Sequence, residues 1–434
     1  VGGRTPEEWA PVALSWAWRG LLRRHIHVDA VCSAGARSWG GRVGHGPARQ
    51  GPLAGCELVV PPVGVGGRRL AVVHDRRCGT HVGVLAVHAS GFALVGDDEQ
   101  RRRVEAWASV LAGLAREGTV VHRVQWVLRV VPGDGDDLVH HLSAARSNDA
   151  PARAVGSYRE LVEGAGPATQ RHEAYLALAV HRRRSRLTAH DASTAPTLVA
   201  RELRTLEATL ASTDVQSGGP LGTRALGRLL REMADPTLGR ASAADTGPRA
   251  AGTGHGSRPE GGTVAGIPMA GQADWSAYRS DGGCHVTYWI AEWPRVEVGP
   301  EFLTPLLLGA RHRRTVAVVL EPVPARRAAR EAEAARTAHM ADDELRRRGG
   351  FLTSARRRRE QQEVMSRESE LAEGHALYRY SGYATASARS PEELVAACAE
   401  LEASAARAHL DVRRLYGQQA EAFSWTLPLA RGLA

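Results

Sequence analysis

The chain has 434 residues and a mass of 46.5 kDa, with 43% hydrophobic and 24% charged residues, a formal charge of +9 and an isoelectric point near 9.8. That size favours two or three globular domains, and the charge favours anionic partners, either nucleic-acid phosphates or the headgroups of a cytoplasmic leaflet. All 56 basic residues are arginine, as strong genomic G+C bias produces, which excludes a Walker-type phosphate loop, a Schiff-base amine and a kinase-type lysine.

The first element is an amphipathic helix over residues 9–24. Thr5, Pro6 and Glu8 form its start signal. The spacing puts Trp9, Val12, Ala13, Trp16, Ala17 and Leu21 on one face, with Trp18 and Leu22 at the margin and Arg19, Arg23 and Arg24 beyond. A Trp-rich helix ending in arginines suits a membrane interface, so Trp9, Trp16, Trp18, Arg19, Arg23 and Arg24 are the candidate interface residues. Docking on the protein's own core explains the same pattern equally well. No apolar run reaches the roughly 18 to 20 residues of a spanning helix. The first residue is Val, which leaves two readings open: a fragment, or a non-ATG start translated literally.

Residues 28–62 read as a linker, and residues 1–55 together as a juxtamembrane helix and linker. A first module then spans residues 56–235. Strands are predicted at 70–74 and 80–88 around a hairpin turn with Gly79 at the positive-φ position, with a third short strand at 92–95. A helix capped by Asp97 or Asp98 follows, with a buried stripe of Val104, Trp107, Ala108, Leu111 and Leu114, ending at Gly118. A strand at 120–131, helices at 136–146 and 152–163, a strand at 172–181 and helices at 196–212 and 221–234 complete the module. Residues 236–275, rich in small and polar residues, read as a flexible linker.

The second module, residues 276–434, carries predicted strands at 285–293, 315–321, 378–387 and 410–415, with helices at 301–309 and 391–409. The result is a β-α-β order, an insertion, and a second β-α-β order. The fold class is therefore α+β, with two ferredoxin-like sheet-plus-helix modules and a long helical hairpin inserted in the second at residues 325–373. In that insertion Arg356 with Glu360 and Arg359 with Glu363 stand four apart, each pair supporting the helix by about 0.3 kcal/mol.

Chemical motifs are scarce. The run Gly133-Asp134-Gly135-Asp136-Asp137 lacks the third glycine of a dinucleotide loop, and its carboxylates would repel a pyrophosphate. Cys78 and His81 have a C-x-x-H spacing and His285 follows Cys284, but no second pair has finger-like spacing. Cys32, Cys56, Cys78, Cys284 and Cys398 are odd in number and scattered, which fits a reducing compartment. Ser257 sits in the predicted linker, where no strained turn could hold a nucleophile. An enzyme reading requires distant residues such as His74, Asp75 and Glu292 to converge. Arginine runs at 101–103, 182–184, 346–348 and 356–359 are the phosphate-binding candidates, with Arg356, Arg357, Arg358 and Arg359 the densest. No catalytic residue, cofactor or metal is assigned.

Several segments are similar to one known family: residues 4–12 (RTPEEWAPV), 73–80 (VHDRRCGT), 288–295 (YWIAEWPR), 298–303 (VGPEFL), 414–419 (RLYGQQ) and 424–429 (SWTLPL). They resemble an actinobacterial protein of integrative and conjugative elements, encoded beside a PrgI-like membrane protein and a type IV secretion ATPase. Its members are EccE-like in part, and similar in role to the non-ATPase front part of VirB-type conjugation ATPases. The resemblance implies a non-catalytic scaffold at the cytoplasmic face of the cell membrane, oligomeric within a complex. The implied partners are the ATPase motor in trans, the PrgI-like protein and the membrane surface. Members commonly begin with hydrophobic membrane segments, which this chain lacks. The alternative is an arginine-rich module that binds transferred nucleic acid.

Overall fold

The computed structural model describes residues 6–21, 26–28, 51–62, 64–89, 91–133, 151–165, 170–181, 194–238, 270–348, 366, 369–370 and 374–433. In chain order the first half holds α1 (Pro6–Leu21), β1 (Ile26–Val28), β2 (Cys56–Val59), β3 (Val72–Asp75), β4 (Thr80–Ala89), α2 (Asp97–Leu114), β5 (Val121–Pro132), α3 (Ala152–Ala165), β6 (Gln170–His181), α4 (Thr194–Leu210), β7 (Val215–Pro220) and α5 (Thr223–Ala234). The second half holds β8 (Ala270–Ala273), β9 (Tyr278–Ser280), β10 (Gly283–Glu292), α6 (Thr304–Leu307), β11 (Arg313–Pro322), α7 (Ala325–Arg348), β12 (Tyr378–Ala388), α8 (Pro391–Arg407), β13 (Asp411–Arg414) and α9 (Gln419–Thr426).

The long strands are apolar on both faces, as a sheet covered on both sides requires. On β6, for example, Leu176, Leu178 and Val180 enter one core while Ala177 and Ala179 enter the other. All thirteen described strands join one antiparallel sheet. Within the first half the pairing runs β7-β4-β6-β5, with β3 and β7 sharing one side of β4. The second half repeats it as β13-β10-β12-β11, with β9 and β13 sharing one side of β10. Both β4·β7 and β10·β13 carry a register shift, between Ala86 and Val87 and between Ile290 and Glu292. The halves meet where β5 pairs with β11, from Val124↔Leu320 to Val130↔Arg314.

One face of the sheet packs against α2 and α4 in the first half and against α6 and α8 in the second. The opposite face is covered by α5 and α9, whose Leu226, Leu230, Met233 and Phe423, with Leu427 just past α9, share a core with strands of both halves. Gly83 sets the closeness of α4: a Cβ there would lie 2.5 Å from Leu203 Cδ1 and 2.7 Å from Val199 Cγ1. Ser390 Oγ accepts the Glu393 amide at 3.2 Å, the capping bond its sequence announces at the start of α8.

Several sequence expectations need correction. The stretch read as a linker contains β2, with Leu53, Ala54, Cys56 and Leu58 buried, because four residues are too few to display a period. Phe92–Leu94 is a 3-10 turn rather than a strand. The N-cap of α2 is Gly96, with Asp97, Asp98 and Glu99 in the first turn. Only Val110 and Leu114 of α2 are buried, with Trp107 packed beside them, while Val104 is 48% exposed. Its N-terminal turns carry their apolar side chains past the core. The strands β7 and β9 and the helix α9 had no sequence signal. The expected helix at 136–146, residues 239–269 of the predicted linker, and most of the second arm of the predicted hairpin lie outside the described residues.

Candidate functional site

Helix α1 rests on the second half by one face. Val12 is buried, its Cγ1 close to Gly417; Trp16 meets Trp275 edge-on with ring centroids 5.2 Å apart, and Arg19 donates to the Gly417 carbonyl at 2.6 Å. Residues 12, 16 and 19 follow helical spacing, so a single stripe does the docking. The opposite stripe is apolar and bare, with Leu14 70%, Trp18 63% and Leu21 76% exposed. The sequence expectation grouped Leu21 with Trp16 and omitted Leu14; the structure separates the two faces. Trp9 lies within α1, and its side chain, with Arg23 and Arg24, is outside the described residues. Among the described residues no helix is long and apolar enough to cross a membrane.

The hairpin between β3 and β4 gathers titratable groups that bind one another. Asp75 Oδ1 accepts the Arg77 and Cys78 amides at 3.0 and 3.2 Å, and its Oδ2 accepts from Arg431 Nε at 2.7 Å. Burial by itself would raise the Asp75 carboxyl, but the Arg431 guanidinium and these hydrogen bonds hold it below the ordinary aspartate value. Arg431 also donates to the Pro52 carbonyl and reaches Cys56 Sγ at 3.0 Å. Burial pushes the Cys56 thiol up to about 12, so it stays protonated. His74 binds Glu57 at 2.7 Å and stacks on His81 with centroids 4.3 Å apart.

A second buried constellation ties α5 to the other half. His285 Nε2 lies 3.0 Å from the Ala234 carbonyl and 2.9 Å from Ser280 Oγ, while Nδ1 lies 2.8 Å from Ser387 Oγ. Donation from Nε2 to the carbonyl leaves Nδ1 to accept from Ser387, which makes the ring neutral. Burial drives its pKa down to about 4, against weaker upward pulls from the Ala234 carbonyl and Asp235. A Ser–His contact closed off in this way works as a bracket between one helix, α5, and the three strands β9, β10 and β12.

His74, Asp75 and Glu292 do not converge: Glu292 pairs with Arg295 at 2.6 Å, while Asp75 and His74 engage Arg431 and Glu57. Among the described residues no group of three or more His, Cys, Asp or Glu could hold a metal ion. The run 101–103 is spent on α2 itself and its neighbour, Arg101 facing Asp98, Arg102 and Arg103 facing Glu99, and Arg103 also meeting Asp214. Arg356, Arg357, Arg358 and Arg359 and the run 182–184 lie outside the described residues. Along α4, Arg201, Arg204, Thr205, Ala208 and Thr209 line a shallow open depression.

Neither a protein-family model nor a curated protein matches the chain.

Proposed function

We propose that this chain is a non-catalytic scaffold of a conjugative, type IV-like secretion apparatus, resting on the cytoplasmic membrane face through α1 and docking a separate ATPase. The observation that carries the membrane part is the two-sided helix: one stripe is fixed to the body by Val12, Trp16 and Arg19, while Leu14, Trp18 and Leu21 point outward. An apolar face held rigidly outward, with a Trp among the aliphatics, fits the headgroup–acyl boundary of a bilayer. The positive overall charge adds attraction to an anionic leaflet.

The strand orders β7-β4-β6-β5 and β13-β10-β12-β11 support reading each half as a ferredoxin-like unit. Fusion of the two units through β5·β11 would give a stiff platform suited to holding partners at fixed spacing. The resemblance in residues 4–12, 73–80, 288–295 and 414–419 supplies the secretion context, the ATPase and the PrgI-like partner.

The test is affinity isolation of the chain from solubilised membranes of cells carrying the conjugative element. Co-purification of the ATPase is expected, and recovery of the chain from the soluble fraction without it would contradict the proposal.

A further inference from the structure

The ladder that joins the two halves has unlike ends. One step beyond the registered pair Val124↔Leu320, Arg123 stands opposite Glu321 and pairs with it at 3.1 Å. One step beyond the other registered end, Val130↔Arg314, Arg313 stands opposite Val131, a buried apolar residue. The first arginine meets a carboxylate across the seam and the second does not.

What surrounds Arg313 is more positive charge. Alternation along the strands puts Arg129 and Arg313 on the face covered by α5 and α9, together with Val127 and Ala317. Glu173 sits on the same face opposite Arg129, and it is already shared by Arg129 Nη1 at 2.7 Å, Arg171 Nε at 2.7 Å and the Tyr175 hydroxyl at 3.1 Å. Glu232, on α5, is held by Arg228 at 2.8 Å and approached by Arg129 at 3.6 Å. Arg389 follows β12 and is exposed.

Among the described residues, the charges that act on Arg313 are those of Arg129, Arg389 and Arg171 against the single carboxylate of Glu232. Arg313 Nη1 is buried and has no hydrogen-bond partner among the described residues. Burial, followed by the like charges of Arg129, Arg389 and Arg171, pushes the guanidinium down to about 10, a sign of a cation short of counter-charge. A buried unpaired donor on a charged group is costly enough that it calls for a partner.

We propose that Arg313, with Arg129, Arg171 and Arg389 around it, forms a binding site for a phosphate-type oxyanion at the seam between the halves. Arg129 is buried and Arg313 half-buried, while the more exposed Arg171 and Arg389 stand at the rim, on the solvent side. Planar guanidinium groups suit a tetrahedral oxyanion because each offers paired N–H donors. The site is independent of α1 and of the membrane reading. The anion is a soluble phosphate or the phosphomonoester headgroup of a lipid, and the two share the same recognition chemistry.

The test is calorimetric titration of the full chain with inorganic phosphate, at ionic strength matched with chloride. Saturable one-to-one binding is expected. Arg313→Gln should weaken it on the order of tenfold or more, as loss of a charge-assisted donor does, while melting no lower than the parent without phosphate. Arg389→Gln, on the rim, should weaken binding severalfold without touching the core, and Arg76→Gln, paired with Glu57 at the far hairpin, should leave it unchanged. Vesicles of phosphatidic acid compared with phosphatidylglycerol at equal charge separate the sources. A preference for phosphatidic acid that vanishes in Arg313→Gln assigns the headgroup, and its absence beside phosphate binding assigns a soluble ligand. The proposal is overturned if phosphate does not bind, or if the parent and Arg313→Gln bind it alike.

Discussion

The two halves of the sheet share one pairing scheme but are clad differently. In the first half the connection between β4 and β5 is the 18-residue helix α2, whereas the corresponding connection between β10 and β11 holds only the four-residue α6. Leu306 of α6 is fully buried, and Trp293, Phe302, Leu303 and Leu307 fill in beside it. Strand order therefore tolerates a large change in what covers it, provided that enough apolar surface replaces the missing helix. The halves also borrow from each other. The last turn of α9 and the segment after it reach the first half, where Gln125 donates to the Trp425 carbonyl at 2.7 Å and accepts the Ala430 amide at 2.7 Å.

Breaking that exchange gives the largest expected effect. Arg431→Ala strands the buried Asp75 carboxylate and should cost about 3–5 kcal/mol, read from urea unfolding. Asp75→Asn combined with Arg431→Met removes both charges and should cost clearly less. An equal cost would show that the segment matters for packing and that the ion pair does not.

The His285 bracket comes next and is a matter of pH. Its folded pKa is depressed to about 4 from an ordinary 6.5. The folded state thus resists a proton that the unfolded chain accepts. Stability from this residue is complete above pH 6.5 and is lost as pH falls towards 4. The loss totals about 3 kcal/mol at 1.36 kcal/mol per unit. His285→Gln should be less stable at neutral pH and should flatten this acid slope. An unchanged slope would assign the acid sensitivity elsewhere.

Gly83→Ala sharpens the contrast in cladding, because α4 lies directly on β4 there. Overpacking of about 1–3 kcal/mol is expected, with the lowered midpoint measured by thermal unfolding. The smallest effect on stability is expected on α1: exchanging Leu14, Trp18 and Leu21 together for Ser should leave the midpoint within about 0.5 kcal/mol, since their side chains are bare.

Long alternating segments made much of this legible in the sequence. Residues 120–131, 172–181, 315–321 and 378–387 were expected as strands and appear within two residues of those limits as β5, β6, β11 and β12. The mixture of helices with a large antiparallel sheet followed from their order. Short elements were hidden: Val215–Pro220 reads VQSGGP, with turn residues where a strand pattern would need branched ones. The joining of β5 to β11 was equally hidden, because an edge strand that meets another edge has the same alternation as one that meets water. On α1 the pattern found an amphipathic helix but could not say which stripe docks, since Val12 and Trp16 are no more apolar than Leu14 and Trp18. The arginine runs drew attention by clustering in sequence, yet Arg129, Arg171, Arg313 and Arg389 cluster only in the fold.

The proposed membrane role of α1 is tested most directly by flotation of the purified chain with anionic phospholipid vesicles, comparing the parent with the Leu14→Ser, Trp18→Ser, Leu21→Ser combination at matched folded content. The account predicts that the parent rises with the vesicles and that the triple variant remains in the dense fraction. A parent that fails to float, or a variant that floats equally well, would contradict it.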